Sequence, residues 1–461
     1  LMLTGVRAEV SFYKDLFEKI GVKADMLQMG DFKAAAEPFT RSSMSEPARK
    51  QLTTVIDDYY EKNIVERIVH QRADRKFTAE QVKKLIDEGP YTARGALKAK
   101  LIDRVAYVEK YQEQFKTSLG ADEIKIVKNY GKEKKKTPDL SNPFAVLKLL
   151  MDGPKTTTTS KNPKIAVIHA VGVITTGKSE EGLFGASTVG STTMIEAIRQ
   201  AEKDDTVKAI VLRVDSPGGS ALASDLIWNE LKRAKKPIVA SMSDVAASGG
   251  YYISMAAKKI YADPGTLTGS IGVVGGKMSL GGTFSKLGIK TEVISRGANS
   301  GILSTEKPFS DSERKAMTAL MKDVYDQFLD KALEGRRKAG KKMTRDELVG
   351  LAGGRIWTGR QAKENGLIDE LGSFEDALTA AWKLAKMPGD KEPELLLLPK
   401  SKGFLDSLLD EKLGARAPAL QMRSLLREVP ELQRKLRSLD SLFQLRGEPV
   451  WLTMPYRIEI D

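Results

Sequence analysis

A long-range internal repeat restricts the fold of this chain more than any other feature. Tyr91-Thr92-Ala93-Arg94, leading into ALKAKLID at Ala96 to Asp103, returns as Trp357-Thr358-Gly359-Arg360, leading into AKENGLID at Ala362 to Asp369, a spacing of 266 residues. Leu3-Thr4-Gly5 returns as Leu267-Thr268-Gly269, Gly21-Val22-Lys23 as Gly288-Ile289-Lys290, and Glu37-Pro38-Phe39 as Lys307-Pro308-Phe309, at spacings of 264, 267 and 270. A drift of a few residues is what loop insertions produce, so the ordered matches indicate two copies of one domain. The second copy opens near Lys164, and the 103 residues from there to Leu267 have almost no counterpart ahead of Leu3. The first copy is expected to lack its opening half.

The expected organisation is therefore residues 1–130 as the C-terminal part of a first copy, 131–163 as a linker, 164–389 as a complete second copy, and 390–461 as an extension without a counterpart. The linker is charged at Lys132 to Lys136 and then runs into TTTTS. In the second copy, Lys164 to Ala170, Ala209 to Val214 and Pro237 to Met242 are short β-rich runs. They alternate with helical patterns at Thr192 to Ala201 and Ala221 to Ala234. That alternation predicts an α/β fold with a mostly parallel sheet, and ligands at the carboxyl ends of its strands. After Pro308 the pattern turns helical, at Ser310 to Leu333 and Thr344 to Leu351. In the extension, Leu425, Leu432, Leu436, Leu439, Leu442 and Phe443 interleave with Arg427, Arg434, Lys435, Arg437 and Arg446. This predicts a basic amphipathic helix, packed on its own domain, on a sister subunit or on a membrane surface.

Composition narrows the chemistry. With 41% hydrophobic residues, 461 residues can build sizeable cores. The absence of cysteine excludes disulfides, thiolate metal sites and cysteine nucleophiles. Only His70 and His169 exist, so a histidine-rich metal site is excluded and a Ser-His-Asp triad would need one of them. His169 lies within a strand pattern and His70 in a helical run, which suits structural roles. No metal or cofactor is expected. The net charge of +13 fits solubility, a membrane surface or an acidic partner. Nucleic acid is not expected, because the basic residues are scattered and seldom interleaved with aromatics. No apolar run reaches the roughly 18 residues of a membrane span. Leu1 is not a natural start, so the chain is expected to begin inside a longer protein.

Two turns can carry chemistry. Asp215-Ser216-Pro217-Gly218-Gly219-Ser220 follows a strand and precedes a helix; its paired glycines either make a plain turn or leave N–H groups aimed at a developing oxyanion. Ala246-Ala247-Ser248-Gly249-Gly250-Tyr251-Tyr252 follows the next strand, and Ser248 reads either as a helix cap or as an exposed nucleophile. A serine nucleophile needs a base. A lysine serves if desolvation lowers its pKa from ~10.4 towards about 7–8. Lys33, in GDFKAAAEPF, is followed by small residues and flanked by Phe32 and Phe39, while the second copy has Asn299-Ser300-Gly301 at the matching place. Taken alone, it reads as an ordinary surface lysine. Gly172 to Ser179 has the spacing of a P-loop, but the two early carboxylates and two glycines that follow do not suit the phosphate-facing helix such a loop must open.

Together, SPGG, AASGGYYIS and LTGSIGVVGG, with GDFKAAAEPF in the preceding half, resemble the bacterial signal peptide peptidase A (protease IV) family over nearly all of residues 1–388. The resemblance implies tandem Clp/crotonase-like domains, here with the first copy incomplete and a helical C-terminal extension, and a Ser-Lys dyad. Carried over residue by residue, it implies Ser248 as nucleophile, Lys33 as general base, the Gly219 and Gly249 N–H groups as oxyanion donors, and Ser270 as a hydroxyl that orients the lysine. It implies cleavage of remnant signal peptides and other unfolded hydrophobic segments at a membrane surface, by a homo-oligomer (a tetramer or larger ring) facing the periplasm or cell exterior. The front half of the first copy and any anchor are missing from the pattern, and the basic tail is not part of it. A crotonase-like acyl-CoA enzyme using only the oxyanion hole, or a non-catalytic scaffold, are the alternatives.

Overall fold

The computed structural model describes residues 1–27, 29–121, 123–124, 160, 162–180, 187–388, 393–399 and 450–454. Its strands, in chain order, are β1 Val6–Phe12, β2 Lys164–Val171, β3 Val173–Thr175, β4 Thr188–Gly190, β5 Val207–Ser216, β6 Gly218–Ser220, β7 Ile238–Ala247, β8 Lys259–Ala262, β9 Leu267–Gly269, β10 Lys290–Arg296, β11 Ile356–Thr358, β12 Glu370–Leu371, β13 Glu394–Leu398 and β14 Trp451–Thr453. The chain forms two compact units. One contains Leu1–Val105 and Val273–Gln327; the other contains Ala106–Gly272 and Phe328–Asp461.

The larger unit is built on an eight-stranded sheet in the order β11-β9-β7-β5-β2-β13, with β8 also on β7 and β12 on β8. The three runs expected as strands are its centre, and β2, β5 and β7 pair in parallel. β5 is buried at seven of its ten positions, Ala209 to Leu212 without a break, as a parallel strand covered on both faces must be. Its Ala209 and Val211, with Ile165, Val167 and Val239, pack on Ala377, Ala381 and Trp382 of the helix Phe374–Leu384. The opposite side chains, Ile210, Leu212 and Val214, are also fully buried. β7 forks: its first half pairs with β8 and its last three residues pair with β9. That fork opens the carboxyl end of the sheet beside Ser248. A second sheet, β14-β6-β3-β4, includes the Gly218–Ser220 turn.

The smaller unit holds one two-stranded antiparallel sheet among the described residues, β1 on β10. Phe12, Met44, Ala48, Ile56 and Ile294 form one core, and Tyr60, Val65, Val82 and Ile86 another. The two copies of the repeat share several local features. Thr78 and Thr344 make the same capping box with Gln81 and Glu347. Thr92 and Thr358 cap the next helix. Lys100 and Gly366 hold the same left-handed position after it, at φ 58° and 82°. Arg72 pairs with Asp103, and Arg336 with Asp369.

The compact units nonetheless cut across the organisation expected from the repeat. Residues 273–327 of the second copy belong with residues 1–105, and the first copy's helix Val108–Ser118 belongs to the larger unit. Pairing of β1 with β10 is the physical reason: β10 takes its ladder partners from 278 to 290 residues upstream, regardless of the copy those residues belong to. In the extension, the described residues form strands. β13 adds in parallel to β2, and β14 adds to β6. The amphipathic pattern from Leu425 to Arg446, and the 131–159 stretch of the linker, lie outside the described residues.

Candidate active site

Ser216 ends β5 and fixes the first turn. Its Oγ donates to the Gly172 carbonyl at 2.6 Å and accepts the Gly218 N–H at 3.2 Å. Gly218 and Gly219 then take φ of 99° and 156°. A Cβ on Gly218 would stand 2.0 Å from the Leu452 carbonyl oxygen and 2.6 Å from the Gly249 nitrogen; one on Gly219 would stand 2.1 Å from the Ile174 oxygen. Both positions require glycine on conformational and on spatial grounds. Ser220 caps the helix Ala221–Arg233 through the Ala223 N–H.

The second turn holds Ser248 at φ 53°, ψ −112°, between β7 and the helix Gly249–Ser254. A non-glycine residue held at positive φ costs of order 1–3 kcal/mol, and such strain clusters at functional sites. The backbone is held by the Ser248 N–H on the Gly269 carbonyl and by the Tyr252 N–H on the Ser248 carbonyl, both at 2.8 Å. The side chain makes no capping bond. Ser248 is 1% exposed, and its Oγ has no hydrogen-bond partner among the described residues. An unpaired buried hydroxyl costs about 1–3 kcal/mol. This hydroxyl is therefore not there for stability, and the helix-cap reading fails.

The two turns meet. Gly249 packs so closely that a Cβ on it would lie 3.0 Å from Gly218 Cα and 3.2 Å from the Gly219 nitrogen. The backbone N–H groups of the two turns thus sit side by side next to Ser248, at the carboxyl ends of β5 and β7. Ser270 follows Gly269, the residue that receives the Ser248 N–H; it is 2% exposed, at φ 48°, with its own N–H on Arg355. Behind the helix, the Tyr251 hydroxyl donates to the Leu367 carbonyl and the Tyr252 hydroxyl to Asp225. Burial pushes the Tyr251 phenol up to about 12. Both anchors hold the first turn of the helix that carries Gly249. Burial also raises Asp215, at the end of β5, above the usual carboxylate range.

Ser248, Gly219, Gly249 and Ser270 are thus gathered in the larger unit. Lys33 belongs to the smaller one. It is exposed, opening the short turn Ala34–Ala36, with its N–H on the Gly30 carbonyl. Phe39 stacks with Tyr13 and Phe17, while Phe32 is 55% exposed. An apolar pocket of about 290 Å³, lined among others by Phe12, Ala34, Met44 and Leu52, begins at the residue after Lys33. His169 stands on β2 opposite Arg213, and burial and that guanidinium lower its pKa. The P-loop spacing at Gly172 to Ser179 is taken up by β3 and a turn whose Gly177 and Ser179 N–H groups are already bound by Ser191 and Thr193. One element of the site escaped the sequence reading: β14, on the glycine turn. The five-residue run Val450-Trp451-Leu452-Thr453-Met454, rich in β-branched and aromatic residues and bounded by Pro449 and Pro455, is the strand signal that marks it.

Comparisons with known proteins bear on this arrangement. The profile of Peptidase family S49 matches residues 2–122 and 230–388, more than half of the chain, and that of Clp protease matches residues 186–266. The chloroplastic serine protease SPPA of Arabidopsis thaliana is 33% identical over 88% of this chain and 57% of its own length. Protease 4 of Salmonella typhi is 33% identical over 90% of this chain and 65% of its own length. The chain thus spans less than two thirds of these two relatives. A putative signal peptide peptidase of Enterococcus faecium is 35% identical over 50% of this chain and 65% of its own length. Among solved structures, a membrane-bound stomatin-specific protease overlays at TM-score 0.34 with 19% identity, covering 52% of this chain and 99% of that one.

Proposed function

The chain belongs to peptidase family S49, and from that premise we propose that it is a serine peptidase working through a Ser-Lys dyad. One observation supports the reading above all: Ser248 is held at a strained φ with a buried, unpaired Oγ beside the N–H groups of two glycine turns. Strain and a buried hydroxyl without a partner, combined at one residue, support a reacting group there.

In the proposed mechanism, neutral Lys33 Nζ takes the proton of Ser248 Oγ as the oxygen attacks a peptide carbonyl. The Gly219 and Gly249 N–H groups hold the tetrahedral oxyanion, and Ser270 orients the lysine. The lysine then protonates the leaving amine. Water, deprotonated by the same lysine, releases the acyl group and restores the Ser248 hydroxyl. The proposed substrates are remnant signal peptides and other unfolded hydrophobic segments, met at a membrane surface on the periplasmic or outer side by a homo-oligomer, a tetramer or larger ring. Exposed Leu27 and Met29, at 96% and 90%, support an apolar contact near Lys33. No helix among the described residues is long and apolar enough to cross a membrane.

A fluorophosphonate probe tests the assignment. It is expected to label the parent chain at Ser248 and to leave Ser248→Ala and Lys33→Ala unlabelled. Lys33→Arg is also expected to be inactive, because a guanidinium stays protonated. Mixing Ser248→Ala with Lys33→Ala chains restores activity only if the dyad forms between copies. Full turnover by Lys33→Ala at pH 7–8 would refute the base. Full turnover by Ser248→Ala would point to an acyl-CoA enzyme of the crotonase kind.

A further inference from the structure

The strand Gly218–Ser220 packs closely against Gly249, the residue after Ser248, and the segment Val450–Met454 lies on that strand. β14 runs antiparallel to β6, with Trp451 opposite Ser220, Leu452 opposite Gly219 and Thr453 opposite Gly218. The Ala221 N–H donates to the Val450 carbonyl at 3.3 Å, and the Met454 N–H to the Pro217 carbonyl at 2.8 Å. Antiparallel partners alternate between hydrogen-bonded and non-bonded pairs. Leu452 and Gly219, midway between these two bonds, are therefore a hydrogen-bonded pair, and the Gly219 N–H faces the Leu452 carbonyl. The point where a Cβ on Gly218 would stand lies 2.0 Å from that carbonyl oxygen and 2.6 Å from the Gly249 nitrogen. A backbone carbonyl thus lies against the Gly219 N–H and beside the Gly249 nitrogen, the two groups assigned above as oxyanion donors. The side chains are seated as well: Leu452 is 0% exposed, and Val450 and Met454 are each 7%.

We propose that Val450–Met454 is a built-in blocker of the peptide groove, holding the site closed until the segment leaves. The proposal rests on the assignment of Ser248, Gly219 and Gly249 as the catalytic group. Two features make the strand separable from the fold. It is three residues long, and β6 keeps its pairing with β3 at Ile174 when β14 is gone. A substrate that adds to β6 by strand addition competes for the same N–H and C=O groups and the same apolar seat.

The test compares the 461-residue chain, a chain ending at Pro449, and Leu452→Glu in the full chain, with circular dichroism to show that each is folded. Both altered chains are expected to react with the fluorophosphonate roughly tenfold faster or more, the factor that follows from losing one buried leucine. A synthetic hexapeptide, Pro-Val-Trp-Leu-Thr-Met, is expected to slow the shortened chain again, raising KM for a reporter peptide at constant kcat. If the shortened chain does not fold, the same competition is read on Leu452→Glu. Equal labelling rates in parent and variants overturn the proposal, as does a hexapeptide that does not compete. Cleavage of the parent after Leu452, seen by mass, also overturns it, since the segment would then be a substrate. Absence of labelling at Ser248 in every folded form overturns the catalytic assignment itself, and the blocker with it.

Discussion

Gly218→Ala, made in the chain that ends at Pro449, probes the site most directly. Gly218 sits at φ 99°, where an L-residue pays roughly 1–2 kcal/mol. Its new Cβ would stand 2.6 Å from the Gly249 nitrogen, a backbone atom that cannot swing away. Omitting residues 450–461 removes the second clash, with the Leu452 carbonyl, and any acceleration from displacing that strand. What remains is a methyl group in the space an oxyanion must enter. Losing one such donor typically costs 10²–10³ in kcat, so a fall of about a hundredfold or more is expected. Gly177→Ala is the control. Gly177 has φ 87°, and nothing lies within 4 Å of the point where its methyl would stand, so it carries the conformational cost alone. That cost should lower its melting temperature by about 2–8 °C for a unit of this size, with kcat unchanged. Hydrolysis of a fluorogenic apolar peptide, followed at several concentrations, separates kcat from KM. If Gly218→Ala keeps kcat within about threefold of its parent, the two glycine turns do not form the oxyanion site and the geometric argument fails.

Three further outcomes are expected. Ser248→Ala should abolish hydrolysis without loss of stability, because it removes an unpaired buried hydroxyl; scanning calorimetry showing a fall of more than about 5 °C would reveal a hidden partner. Asp369→Asn should lower the melting temperature by about 6–20 °C, since it strands the fully buried Arg336, whereas the equivalent Asp103→Asn, at an exposed pair, should leave it nearly unchanged; equal effects would show that burial does not set the difference. Asp215 has its carboxyl raised by burial, so its contribution is present below the unfolded carboxylate pKa and is lost as pH rises through the folded value. Asp215→Asn should therefore gain stability over the parent between pH 4 and pH 7, and a constant difference across that range would contradict the shift.

Much of the fold and site was legible in the chain itself, and particular residues show why. The runs at Lys164, Ala209 and Pro237 read as strands because both faces of a parallel sheet are covered, which demands continuous apolar stretches. The glycine pair at Gly218 and Gly219 and the serine before Gly249 were visible as turns, since positive φ and close backbone approach leave few residue types to choose from. The threonine caps at Thr92 and Thr358 repeat because a cap is a local bond, closed within three residues. These features are local, so sequence alone determined them: the repeat, the α/β order of the second copy and the two turns. Tertiary structure alone decided the rest. That β10 pairs with β1, that Ser248 Oγ has no partner among the described residues, and that β14 lies on β6 all depend on chain segments tens to hundreds of residues apart. Strand pairing is a contest among every exposed edge for hydrogen bonds that any backbone can offer. The winner is set by burial of side chains such as Leu452, a quantity that exists only once the chain has folded.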